Sequence, residues 1–153
     1  MKLYLKVNNN WTLLEGDDLA GELKRQCVTI GKGASIGERA IIGEGARIGD
    51  GAIIGERASI GERASIGEWA SIENTLECIV MGPLGTDNRM LTFYHSKDKT
   101  MRVATGCFDG TPKEFLVAVE RKHGNSRFGK EYRIALEYGK AKAALWTAKE
   151  VSP

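Results

Sequence analysis

Few residues in this chain are of a type that does chemistry. Two histidines, His95 and His123, and three cysteines, Cys27, Cys78 and Cys107, are all it offers as imidazole or thiol groups. A catalytic zinc takes three protein ligands, so both histidines would have to converge with a scattered cysteine or carboxylate, and no local spacing prepares that. The reading is therefore no metal and no cofactor. His95 can serve as a general base, since free imidazole titrates near pH ~6.5; in a polar turn the competing expectation is an exposed side chain. The cysteines show no paired spacing, which favours reduced thiols, and Cys78 reads as core. No phosphate loop, nucleophile elbow, dinucleotide fingerprint or metalloprotease helix is present.

The most suggestive stretch is Arg102-Val103-Ala104-Thr105-Gly106-Cys107-Phe108-Asp109-Gly110-Thr111. A glycine-flanked turn entering the positive end of a helix offers N–H groups and a hydroxyl to an anion, with Arg102 nearby. The same residues also suit a plain strand-to-helix connection that needs glycine for tight geometry.

The elements that must position this stretch are dominated by a repeat. Ile30, Ile36, Ile42, Ile48, Ile54, Ile60, Ile66 and Ile72 recur every six residues, accompanied by Ala34, Ala40, Ala46, Ala52, Ala58, Ala64 and Ala70, with Val28 opening the series. In a helix each isoleucine would be turned about 240° from the last, which defines no buried face. Strand period instead keeps the alanine and isoleucine of each unit on one side, and the following Gly-Glu or Gly-Asp makes a corner. Three units close an eighteen-residue coil, stacking Ile30, Ile48 and Ile66, and likewise Ile36, Ile54 and Ile72, at roughly 4.8 Å per rung. Outward positions alternate Glu38, Glu44, Asp50, Glu56, Glu62 and Glu68 with Lys32, Arg39, Arg47, Arg57 and Arg63, a solvated face of mixed sign.

With these repeats, residues 28–74 resemble the left-handed parallel β-helix of the hexapeptide-repeat family. The resemblance implies that handedness, a homotrimeric assembly and ligands held between subunits. Members of the family include acyltransferases with a histidine base and carbonic anhydrases with three zinc-bound histidines. This chain departs from both, because neither histidine falls inside the repeats and no long insertion interrupts them.

The expected fold class is mainly β: a β-helix over 27–90, an N-terminal hairpin cap over 1–26, and a hairpin with two helices over 91–153. Lys2 to Val7 alternates with strand period, Asn8-Asn9-Asn10 supplies a turn, and Trp11 to Leu14 returns. The repeat register is expected to run on, degraded, through Leu76/Cys78, Gly82/Leu84 and Asn88/Met90 as a last coil or its exit. Leu91 to Tyr94 and Arg102 to Thr105 flank a turn near Lys97-Asp98-Lys99. Thr111-Pro112-Lys113-Glu114 is a capping box that starts a helix at 112, with Phe115, Leu116, Val119 and His123 as its apolar stripe and Gly124 as its stop. Ser126 caps a longer helix whose inner face holds Phe128, Tyr132, Ala135, Leu136, Gly139, Ala143 and Trp146.

The chain has 153 residues and a formal charge of +2. Residues 27–74 carry five basic and seven acidic side chains; residues 75–153 carry thirteen and nine, a net +4 there. That excess suits small anionic partners but is too dispersed for nucleic acid. No apolar run is long enough for a membrane span and no signal-peptide pattern opens the chain, so the expected place is the cytoplasm, or the host cytoplasm if a phage encodes it.

Together with Gly82-Pro83-Leu84-Gly85 and the His123-Gly124-Asn125 turn, the segment from Arg102 to Thr111 also resembles a group of uncharacterised small hexapeptide proteins of phages and prophages. That resemblance suggests an oligomeric host-defence antagonist that captures a nucleotide signal. The candidate ligand contacts are Arg89, Tyr94, His95, Arg102, Thr105, Gly106 and Phe108: arginines for phosphate, aromatics for stacking on a base, and the Thr-Gly backbone for hydrogen bonds. The expected function is thus non-catalytic binding of a small anion. An acyltransferase using an acyl-coenzyme A donor and a purely structural trimer are the alternatives.

Overall fold

A computed structural model describes residues 1–8, 10–73 and 77–146. Among the described residues the chain is mainly β, with strands in several sheets and three α-helices. Each repeat unit contributes a two-residue strand: β3 (Thr29–Ile30), β4 (Ser35–Ile36), β5 (Ile41–Ile42), β6 (Arg47–Ile48), β7 (Ile53–Ile54), β8 (Ser59–Ile60), β9 (Ser65–Ile66) and β10 (Ser71–Ile72). They form two parallel sheets, in the orders β3-β6-β9 and β10-β7-β4, and a parallel pair, β5-β8, within a third, mixed sheet. The pairing is Ile30 with Ile48, Ile48 with Ile66, Ile36 with Ile54, Ile54 with Ile72, and Ile42 with Ile60. Every pair is eighteen residues apart, the spacing the repeat predicts.

The core follows from this register. Ile42, Ile48, Ile54, Ile60, Ile66 and Ile72, and Ala40 through Ala70 in the second register, are buried in one cluster. Ile30, Ala34 and Ile36, on the first coil, are only partly buried. Each fully buried isoleucine contributes about 1.5–3 kcal/mol of apolar burial.

At the N-terminal end, β1 (Lys2–Val7) and β2 (Asn10–Glu15) form the expected antiparallel hairpin. Of the expected turn Asn8-Asn9-Asn10, Asn9 lies outside the described residues. β1 also pairs in parallel with β5 through Tyr4 and Ile41, adding the next rung of one sheet and burying Leu3 and Leu5. The helix that follows, α1 (Gly16–Arg25), is not anticipated by the sequence reading. Its N-cap residue Glu15 makes no side-chain cap bond, and only Leu19 is buried, so neither a capping signature nor a full apolar stripe announces it.

The other end also differs from expectation. The register does not run on past Ile72: β11 (Cys78–Leu84) pairs antiparallel with β12 (Arg89–His95). Leu76 lies outside the described residues. β13 (Met101–Thr105) and β14 (Phe108–Gly110) complete a four-stranded antiparallel sheet in place of the single hairpin expected. Period-six spacing is lost there because β12 is buried on both faces. Tyr94 and Ala104 join the repeat core, whereas Leu91, Phe93 and Val103 pack with the helices. Ser65 N–H donates to Thr92 Oγ1 at 3.1 Å, and Ala70 bridges to Ser96, so this sheet closes the column.

The two C-terminal helices form as expected. α2 (Pro112–His123) has a complete capping box between Thr111 and Glu114, and α3 (Arg127–Ala143) is capped by Ser126. Tyr132, Ala135, Leu136, Gly139 and Ala143 face inward. Leu116, expected on the inner stripe of α2, is instead exposed; Phe115 and Val119 are buried on that face and His123 packs on Tyr132.

Candidate functional site

The seven candidate residues fall into three places. Tyr94 and Arg102 are opposite one another on β12 and β13. The Tyr94 phenol is buried and donates a hydrogen bond to Asp109 Oδ2. Arg102 donates to Asp109 Oδ1 from Nε at 3.0 Å and Nη2 at 2.8 Å. Burial, and then the Asp109 carboxylate, push the Tyr94 phenol above its ordinary range and keep it protonated. This triad braces β14 against the column. Gly67 sits beneath it, where a Cβ would overlap Asp109 Oδ2 and the Tyr94 hydroxyl.

His95 lies elsewhere. It is buried, not exposed in the turn, and its ring meets Trp146 edge-on with centroids 4.9 Å apart. The turn itself begins one residue later, and this explains the difference. Burial lowers the His95 pKa; Glu77 works against that shift and Lys99 adds to it. A histidine depressed in the folded state gains its proton first in the unfolded chain. Stability is therefore complete above the unfolded value of 6.5 and falls as pH drops through it. Thermal melts at neutral and mildly acid pH are expected to differ, and the difference is expected to shrink in His95→Gln. An unchanged pH dependence in that variant refutes the assignment.

Arg89, Thr105, Gly106 and Phe108 come together. Arg89, Thr105 and Phe108 line a cleft of about 260 Å³ between the end of the sheet and the helices. Gly106, at φ 56°, brings its backbone against Arg89: a Cβ there would lie 3.0 Å from the guanidinium carbon. Phe108 packs on Phe115 at 5.5 Å, Phe115 on Tyr132 at 5.8 Å, and Tyr132 on His123 at 5.4 Å, giving an aromatic lining. Burial raises the Tyr132 phenol, helped by Glu131 and Asp87, so that ring too remains neutral. The buried Thr105 hydroxyl has no hydrogen-bond partner among the described residues.

Lys122, His123 and Tyr132 also line this cleft. The sequence reading places His123 and Tyr132 on packing faces and passes over Lys122. The basic last turn of α2, Arg121-Lys122-His123, was the available signal. Arg89 is half-exposed and pairs with Asp87 at 3.3 Å, which leaves most of its donors open. Cys107 lines the cleft as an exposed thiol, whereas burial pushes the Cys78 thiol up to about 12. Among the described residues no group of three or more His, Cys, Asp and Glu could hold a metal ion, and no helix is long and apolar enough to cross a membrane.

No curated protein and no solved structure matches the chain significantly. Over residues 39–74, a range that includes the strands β5 to β10, the chain matches the family described as bacterial transferase hexapeptide (six repeats).

Proposed function

We propose that the protein is a non-catalytic, oligomeric binding protein that captures a small anionic, nucleotide-like ligand in the cleft beside Arg89, and that it acts by sequestering a host-defence signal. The observation that carries this reading is a cleft that presents Arg89 and Lys122 beside an aromatic wall, with Thr105 in its lining. The Thr105 hydroxyl in that wall is buried and without a partner among the described residues, which costs about 1–3 kcal/mol. Aromatic side chains suit a base, and guanidinium and ammonium groups suit phosphate.

Support for the scaffold comes from the eighteen-residue pairing and the hexapeptide match. On that basis we read the three stacks of parallel strands as the walls of a left-handed parallel β-helix and the protein as a homotrimer acting in the cytoplasm. Ile134 and Tyr138 stand exposed on α3 beside Met81 and Leu84, and this apolar face fits an interface between copies.

A titration of nucleotides followed by calorimetry and thermal shift tests the reading. Arg89→Ala is expected to weaken binding by about 10- to 100-fold, the equivalent of one charge-assisted hydrogen bond at ~1.5–3 kcal/mol. Thr105→Val is expected to raise the melting temperature of the free protein while reducing the shift a nucleotide causes. Wild-type affinity in both variants overturns the site. The transferase name of the matched family and the presence of His123 and Cys107 in the cleft favour one alternative, an acyltransferase. It requires turnover of an acyl-coenzyme A donor, whereas a sequestering protein returns its ligand unchanged.

A further inference from the structure

A second hollow adjoins the aromatic cleft. It measures about 200 Å³ and is lined by Arg47, Arg63 and Arg89, with Ser65, Gly45 and Gly106 completing its wall. The three arginines come from distant parts of the chain. Arg47 points outward from β6, Arg63 occupies a left-handed corner (φ 58°) after β8, and Arg89 opens β12. Only the closure of the column by the antiparallel sheet brings them to one place.

The charge there is only partly compensated, by the pairing of Arg89 with Asp87. Arg47 Nη2 donates to Gly106 O at 3.4 Å, and Arg63 Nη2 donates to Asn88 O at 3.0 Å. Both acceptors are main-chain carbonyls, and among the described residues neither guanidinium has a carboxylate within ion-pair distance. No acidic side chain lines the hollow. A guanidinium has five N–H donors in a fixed fork, so one bond to a carbonyl orients each arginine and leaves the remaining donors for an anion. Gathering Arg47 and Arg63, both without an ion pair among the described residues, beside Arg89, which shares only Asp87, is unfavourable on its own, and a polyanion would relieve it.

Arg89 links the two spaces, because it lines both the arginine hollow and the aromatic cleft. Its guanidinium lies against Gly106, where any side chain would displace it. A base on the aromatic wall would thus place its nearest phosphate at Arg89, and further phosphates would extend toward Arg47 and Arg63.

We infer that Arg47, Arg63 and Arg89 form a polyphosphate subsite continuous with the aromatic cleft, so that the ligand is a nucleotide carrying two or more phosphates. The inference rests on the reading of the cleft as a nucleotide site and deepens it. Fork-shaped donors on two walls of the hollow discriminate by phosphate number, whereas the aromatic cleft alone would treat mono- and polyphosphorylated nucleotides alike.

Calorimetry with AMP, ATP and inorganic tripolyphosphate on the full chain tests this. ATP is expected to bind wild type at least about tenfold more tightly than AMP. The R47Q/R63Q double variant keeps a donor for each carbonyl and removes both charges; it is expected to lose the ATP advantage while AMP affinity stays unchanged. R47A/R63A, with an unaltered circular dichroism spectrum, is expected to behave the same way. If AMP and ATP bind wild type equally, or the ATP advantage survives in R47Q/R63Q, the subsite is refuted and the cleft reading stands. If AMP fails to bind but tripolyphosphate binds and is lost in R47Q/R63Q, the arginine subsite stands and the cleft reading falls. If none of the three binds, both are refuted.

Discussion

Replacing Gly37 with alanine is expected to destabilise the protein by about 3 kcal/mol or more, a fall in melting temperature of roughly 6–12 °C for a chain of this size. The cause is how closely successive coils stack. An added Cβ would overlap Glu56 N and lie 2.6 Å from the Gly55 carbonyl carbon and 2.8 Å from Glu56 Cα. All three are main-chain atoms of the next coil, so no side chain can swing aside. Both coils are also held by ladder bonds, Gly37 N–H to Ile54 O and Gly55 N–H to Ile72 O, each at 2.7 Å. Making room would stretch those bonds, each worth about 0.5–1.5 kcal/mol, as well as the packing. Gly21→Ala is the control. Gly21 lies in α1 with nothing within 4 Å of an added Cβ, and there the substitution is expected to stabilise by up to ~1 kcal/mol. Equal melting temperatures for Gly37→Ala and wild type would overturn this account of the stacking.

Ile54→Ala is expected to cost about 2–5 kcal/mol, because Ile54 sits between Ile36 and Ile72 in the middle of its stack. At 1 % exposure its side chain is held on all sides, and the ladder above and below cannot collapse into the void without breaking register. The neighbouring Ile53, in the same two-residue strand, is 39 % exposed. Ile53→Ala is therefore expected to change stability by no more than about 0.5 kcal/mol. The paired comparison in denaturant unfolding isolates facing direction from residue type. Similar losses in the two variants would mean that the strand does not have one inner and one outer side.

The repeat could be read from the sequence because one physical requirement, an inward side chain every six residues, acts on Ile30 through Ile72 without interruption. The capping box at Thr111 and Glu114 was legible for the same reason: a local bond needs a local spacing. The corners were legible only in part. Reading every repeat glycine as a turn residue conflates two roles. Gly31, Gly37, Gly43, Gly49 and Gly55 are needed for close approach to the coil that follows, while the left-handed backbone falls two residues later, on Arg39, Arg57, Arg63 and Trp69 as well as on Gly33, Gly45 and Gly51. Nothing in the side chain of an arginine or a tryptophan announces a positive φ.

The candidate site was less legible than the fold. Arg89, Thr105, Gly106 and Phe108 do assemble, but Tyr94 and Arg102 are committed to Asp109, and His95 packs against Trp146. Residue type gave the chemistry of each side chain and could not give its partners, which depend on a sheet built from four separate strands. Lys122 and Tyr132 enter the cleft from two helices, and Arg47 and Arg63 reach the neighbouring hollow from the repeats. No spacing rule links positions so far apart.

The eighteen-residue pairing also constrains how such a chain can lengthen or shorten. Inserting or deleting eighteen residues adds or removes one storey and leaves the terminal sheet facing the same compass bearing. Made between Arg47 and that sheet, a change of six residues keeps every isoleucine inward yet swivels the sheet onto a different wall, parting Arg89 from the face that carries Arg47. The scaffold would tolerate either edit, but the arginines keep their meeting place when the edit falls on the N-terminal side of Arg47, where it leaves the storeys between Arg47 and the sheet unchanged.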